Sequence, residues 1–174
     1  MKRLVSLAVP LLLIACVTKP VPKESGTATL APTSGNTAAG TVTFRDLGNG
    51  KVMVDAKLTG VPPGIHGFHV HELGACGDNG NAAGPHFNAS SAAHGAPSSL
   101  AHHNGDFGNV EADTNGNVTV SREVTGVTVS SGALSVVGRA VILHANPDDF
   151  VTQPTGNAGA RIACGVVVAD SMQQ

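Results

Sequence analysis

Lys51-Val52-Met53-Val54-Asp55-Ala56-Lys57-Leu58 alternates over its whole length. Val52, Val54, Ala56 and Leu58 share one face, Lys51, Asp55 and Lys57 the other, and Met53 is the one break. A period of two belongs to a strand with one buried face. The turn sequence Gly48-Asn49-Gly50 precedes it, and similar short runs occupy residues 41–45, 67–71, 117–122, 136–144 and 161–169. Thr114-Asn115-Gly116-Asn117 supplies another turn. Phe is the only aromatic and there are 22 Gly among abundant Val, Thr and Ala, a composition that favours strands and turns over helices. At 174 residues and 41% hydrophobic, the chain suffices for one packed domain. These features predict an all-β sandwich or barrel.

Two segments, residues 72–105 and 145–160, interrupt the rhythm with Gly, Ala, Ser, Asn and Pro. Loops of that length inside a compact domain are characteristically functional or disordered. The net charge is −2 and no basic cluster follows Lys2-Arg3, which excludes an electrostatic footprint for nucleic acid. There is no internal repeat, and G-x-S-x-G, C-x-x-C and H-E-x-x-H motifs are absent.

The amino terminus reads as an export signal. Met1-Lys2-Arg3 is followed by an apolar run to Ala15 that is too short for a transmembrane helix. Its end, Leu13-Ile14-Ala15-Cys16, resembles the lipobox of bacterial lipoproteins, in which cleavage precedes a cysteine that receives diacylglycerol. The expected organisation is a signal peptide over 1–15, a lipidated Cys16 with a flexible tether over 16–25, and one domain over 26–174. Acyl chains at Cys16 would hold the exported protein to a membrane of the periplasm or cell envelope. Three cysteines leave one unpaired if the other two form a disulfide, and Cys16 is the natural odd one.

Eight histidines are a high concentration for a chain with 13% charged residues, and seven of them lie between residues 66 and 106. His69 and His71, two apart on a strand, leave the same face, while Phe68 and Val70 point to the core. That arrangement presents two imidazoles outward together. His86, His94, His103 and Asp106 fall in or at the end of the first long loop, and His144 ends an apolar strand. Imidazole with carboxylate suits zinc and copper. A loop lacking a hydrophobic anchor of its own is one that such a metal could order. His66 lies on the opposite face of its strand and is assigned a structural role. His102 adjoins His103, but the two-residue gap before Asp106 favours His103 as the ligand.

Gly64-Ile65-His66-Gly67-Phe68-His69-Val70-His71, Ala83-Gly84-Pro85-His86-Phe87-Asn88, His94-Gly95, His103-Asn104-Gly105-Asp106-Phe107-Gly108-Asn109 and Gly156-Asn157-Ala158-Gly159-Ala160-Arg161-Ile162-Ala163-Cys164-Gly165 resemble, in order, the signatures of copper/zinc superoxide dismutases. The resemblance spans about residues 26 to 170 and implies a flattened Greek-key barrel of eight strands with a long metal-binding loop and a shorter second active-site loop. It implies one copper per subunit held by His69, His71, His86 and His144, and one zinc held by His86, His94, His103 and Asp106, with His86 as the shared imidazolate. Asp148 matches the carboxylate linking His69 to His94, and Cys76 and Cys164 match the intrachain disulfide. Arg161 matches the residue that attracts the superoxide anion, and His86 the one that exchanges the proton.

Two departures accompany the resemblance. The segment between His144 and Arg161 is shorter than in the eukaryotic enzymes and lacks their Glu/Lys run, and Cys76 stands closer to His71, as in the bacterial form of the loop. Subunit contacts differ between these branches, so a homodimer is compatible with the sequence while its interface does not transfer. Two other readings compete: a non-catalytic envelope protein that buffers or delivers copper or zinc, and a purely structural or adhesive β-domain. The complete ligand set together with Arg161 favours the enzyme.

Overall fold

The computed structural model describes residues 24–171. The signal peptide, Cys16 and most of the tether therefore lie outside the described residues. The strands are β1 (Ser25–Pro32), β2 (Ala39–Gly48), β3 (Lys51–Thr59), β4 (Gly64–His71), β5 (Asp106–Ala112), β6 (Val118–Thr125), β7 (Ala140–His144) and β8 (Arg161–Ala169). They pair antiparallel in the order β5-β4-β7-β8-β1-β2-β3-β6. β6 crosses over to pair with β3, while β7 returns to β4; this is the Greek-key crossing. β5 and β6 end the order, and the seam between them is bridged by Arg122 of β6, whose guanidinium donates to the carbonyls of Phe107 and Asn109 on β5. The result is a nearly closed eight-stranded barrel.

β3 buries the apolar face that its alternation predicts: Val52, Val54, Ala56 and Leu58 are all buried. Val42 and Phe44 of β2, Ala28 and Leu30 of β1, and Phe68 and Val70 of β4 meet them in one core. Phe44 and Phe68 tilt against Phe107 at centroid distances of 6.1 and 6.2 Å. Such a tilted aromatic cluster combines large apolar burial with favourable ring-edge contacts.

Two strands were not legible as alternating runs. β1 begins at Ser25, inside the expected tether, because Ser25 and Gly26 pair with Arg45 and Phe44. Two of its three inward residues, Gly26 and Ala28, are small, which weakens the pattern. β5 carries a bulge opposite Gly67 and His69, and Gly108 supplies the positive φ of 78° there, so its alternation is broken. β7 is shorter than expected and starts at Ala140, because residues 136–139 form a turn in which Arg139 N–H donates to the Val136 carbonyl.

The strand parity of β4 is correct, but its outer face is not open to solvent. From His66 onward every residue of β4 is buried, because the long loops cover His69 and His71. The first loop also has a hydrophobic anchor, contrary to the expectation from its sequence. Phe87 is fully buried in the barrel core, its N–H donates to Val70, and the Arg139 guanidinium lies 3.6 Å from its ring centroid. Phe87 is a lone large apolar residue among small and polar ones, so no periodicity marks it. Among the described residues, no helix is long and apolar enough to cross a membrane.

Candidate metal centre

β4 places His69 and His71 under the loops, and β7 delivers His144 from the neighbouring strand. The first loop folds back on the end of β4: Glu72 N–H donates to Pro85 O, Leu73 N–H to Ala83 O, and His86 forms an isolated bridge with His71. Cys76 and Cys164 are joined in a disulfide that ties this loop to β8. Arg161, at the start of β8, donates to the carbonyls of Gly80 and Gly84 in the same loop.

Two groups of side chains then converge, each with its donor atoms within 4.8 Å of one another: His69, His71, His86 and His144, and His86, His94, His103 and Asp106. All seven residues are buried. His86 belongs to both groups. Its Nδ1 lies 2.8 Å from Asp106 Oδ1, while Nε2 on the other side of the ring is buried without a hydrogen-bond partner. His102 belongs to neither group, and its Nδ1 donates to the His103 carbonyl at 2.7 Å.

The hydrogen bonds determine which ring nitrogens keep a lone pair. A carbonyl only accepts, so His71 Nδ1 donates to Gly84 O at 2.9 Å and His144 Nδ1 to Gly159 O at 3.3 Å. Their Nε2 lone pairs then face each other at 3.3 Å. Asp148 accepts from His69 Nε2 at 2.8 Å and from His94 Nε2 at 2.9 Å, which leaves Nδ1 of both rings as lone pairs. His94 Nδ1 consequently sits 3.0 Å from Asp106 Oδ1 with no hydrogen to share, and His103 Nδ1 lies 3.4 Å from the same oxygen. Buried lone pairs pointed at one another are costly unless a cation lies among them. Zinc bonds of about 2.0–2.1 Å imply donor separations of roughly 3.3 Å in a tetrahedron, close to those of the Asp106 group. A set of four imidazole nitrogens suits copper. On these grounds the residues fit both metals.

Electrostatics keep His69, His71, His103, His144 and Asp106 in the metal-binding form. Burial, followed by the neighbouring His86, holds His69 and His71 well below the ordinary imidazole range. Burial brings His144 down to about 3 and also lowers His103. Asp106 is pushed up by burial, but hydrogen bonds from His86 and from the backbone N–H groups of His103 and Gly95 outweigh this and leave it below the usual carboxylate range.

Several contributors have no role assigned from the sequence. Asn109 brackets the backbone of Asp148, its Nδ2 donating to Asp148 O at 2.9 Å and its Oδ1 accepting from Asp148 N–H at 2.8 Å. Gln153 does the same for His94, and the Gly84 carbonyl serves both His71 and Arg161. His66, the structural histidine, places its two ring nitrogens 2.8 Å from His144 O and 2.7 Å from Pro62 O.

Residues 38–167 match the family described as copper/zinc superoxide dismutase (SODC). A solved structure reported as a crystal structure analysis of the clock protein EA4 is 37% identical and superposes with a TM-score of 0.76, the match covering 87% of this chain and 98% of that one. With a four-histidine copper-type site and a three-histidine, one-aspartate zinc-type site both intact on a barrel of eight strands, the chain belongs to the copper/zinc superoxide dismutase family.

Proposed function

We propose that the chain dismutes superoxide, converting two superoxide anions and two protons to dioxygen and hydrogen peroxide. The observation that carries this reading is the position of His86, one ring shared by the copper-type and zinc-type groups. Copper would be held by His69 Nδ1 and by Nε2 of His71, His86 and His144, and zinc by Nδ1 of His86, His94 and His103 with Asp106 Oδ1. When bound, copper supplies a one-electron redox couple and zinc a fixed positive charge that does not change oxidation state.

The remaining work belongs to the chain's own side chains. His86 Nε2 holds the proton only while it is not a copper ligand and then releases it, and the ring is kept in register from its Nδ1 side. Asp148 sets the tautomers of His69 and His94 together. Arg161 spends two of its five N–H donors on Gly80 and Gly84, leaving charge and donors to attract a small anion. The same two contacts brace the loop, so one residue serves both purposes.

We also infer that the protein is exported and held to a membrane of the cell envelope by lipid at Cys16. The basic start, the apolar run and Leu13-Ile14-Ala15-Cys16 support this reading, as does a disulfide suited to an oxidising compartment. Mass spectrometry of the amino-terminal peptide from the native host tests it. A diacylglyceryl adduct on Cys16 that disappears in Cys16→Ser is expected; an unmodified Cys16 contradicts it.

For the dismutase reading, the measurement is superoxide decay catalysed by copper- and zinc-loaded protein, normalised to bound copper. Acceleration near the diffusional ceiling, abolished in His144→Ala, is expected. Both metals bound with no acceleration above free-copper controls would favour metal buffering instead.

A further inference from the structure

The zinc-type ligand His94 lies in a mostly exposed stretch of the first loop, yet its ring must be held to a fraction of an ångström. Asp148 holds the side chain through Nε2 at 2.9 Å. The backbone is held separately. His94 N–H donates to Gln153 Oε1 at 2.9 Å, and Gln153 Nε2 donates to the His94 carbonyl at 2.9 Å. Among the described residues these are the only hydrogen bonds made by the two main-chain groups of His94. The two contacts require opposite ends of one amide, so they define its orientation and act together as a peptide-like clamp.

The second loop is shaped to deliver that amide. Asp149 accepts from Val151 N–H at 3.0 Å, Thr152 N–H at 2.8 Å and Thr152 Oγ1 at 2.6 Å, and Gly156 N–H closes the turn on Thr152 O at 2.7 Å. Gln153 sits inside this turn, on the same short loop as Asp148. The loop thus grips His94 at both ring and backbone.

We propose that Gln153 is a positioning residue for the zinc ligand His94 and sets how tightly zinc is retained. Its hydrogen bonds reach no residue of the copper-type group, so its effect should fall on zinc before copper. The inference rests on the metal-site reading above. Gln153→Met keeps the side-chain length and removes both hydrogen bonds to His94, together with the longer one, 3.4 Å, from Gln153 Nε2 to the Val151 carbonyl. Gln153→Glu keeps the acceptor for His94 N–H but sets a carboxylate oxygen against the His94 carbonyl. Val151→Ala, in the same turn with an exposed side chain, serves as the control.

The experiment measures transfer of zinc from the fully loaded protein to a colorimetric chelator, alongside copper retention, the thermal midpoint of the metal-free form, and visible absorption of Co(II) placed in the zinc site. Zinc binding by the wild type tests the site itself, independently of Gln153. Outer-shell partners of metal ligands are worth about 10–100-fold in affinity, and an exposed clamp belongs at the lower end. Gln153→Met and Gln153→Glu should release zinc about tenfold faster and alter the Co(II) bands, with copper retention and the metal-free midpoint unchanged and Val151→Ala like wild type. Zinc release from both variants at the wild-type rate overturns the proposal. So does parallel loss of both metals, or a matching change in Val151→Ala, since either would mean a general brace of the loop.

Discussion

His71 and Arg161 donate to the same acceptor, the carbonyl oxygen of Gly84, at 2.9 and 2.7 Å. One oxygen thereby orients a copper-type ligand and seats the cation beside it. The disulfide from Cys164 to Cys76 and the Gly80 contact hold the same loop, so the orientation of His71 and the seating of the Arg161 guanidinium depend on one short piece of backbone.

Arg161→Ala removes the charge and both loop contacts. Turnover per bound copper should fall on the order of tenfold to a hundredfold, the range of short-range electrostatic attraction. Arg161→Lys retains charge but cannot reproduce the two-pronged geometry. It should keep most of the rate and alter the Cu(II) electron paramagnetic resonance spectrum through His71. Pulse radiolysis or stopped-flow decay of superoxide separates the two variants, and an unchanged rate in Arg161→Ala would refute the assigned role.

Gly156→Ala should be severe. A Cβ there would stand 1.9 Å from Asp148 Oδ1 and 2.6 Å from His94 Nε2, on backbone with φ of 65°. The left-handed backbone alone disfavours alanine by about 1–2 kcal/mol. The clash falls on the hydrogen bond between Asp148 and His94, so zinc affinity should drop more than barrel stability. Zinc competition assays and urea unfolding of the metal-free protein check the two effects separately.

Cys76 and Cys164 are 88 residues apart, and closing a loop of that size restricts the unfolded chain by an amount worth roughly 4–5 kcal/mol. Cys76→Ser with Cys164→Ser should lower the unfolding free energy by about that amount. It should also weaken copper retention, because the loop bearing Gly84 is freed. Urea unfolding with matched metal content measures the first effect, and dialysis against a copper chelator the second.

Acidification should destabilise the metal-free protein. The folded values of His69, His71, His103 and His144 are lowered, so their stability contributions are complete above the unfolded imidazole value of about 6.5. Below it, the unfolded chain takes up protons that the folded chain refuses, and the loss continues until His144 itself titrates at about 3. The lowered Asp106 acts in the same direction at the acid end. The urea midpoint should therefore fall steadily from ~pH 7 to ~pH 4. A midpoint that stays level across that range contradicts the burial of these rings as neutral groups. Acid should also promote metal release, since protons compete for the ligand nitrogens.

The period-two pattern of Lys51 to Leu58, the pairing of His69 with His71 on one face, and the placement of His86, His94, His103 and Asp106 around one long loop were all legible from the sequence. Each depends on local geometry: a strand reverses its side chains at every residue, and a ligand-rich loop declares its chemistry by composition. β1, β5 and the Phe87 anchor were not legible, because small inward residues, a bulge and a solitary apolar side chain leave no periodic trace. Nor were the ring tautomers, the shared Gly84 oxygen, or the clamp of Gln153 on His94 across 59 residues. Chain composition and spacing determined which groups could bind metal. Only tertiary packing decided which nitrogen of each ring carries the lone pair, because that choice belongs to a hydrogen-bond partner brought from a distant loop.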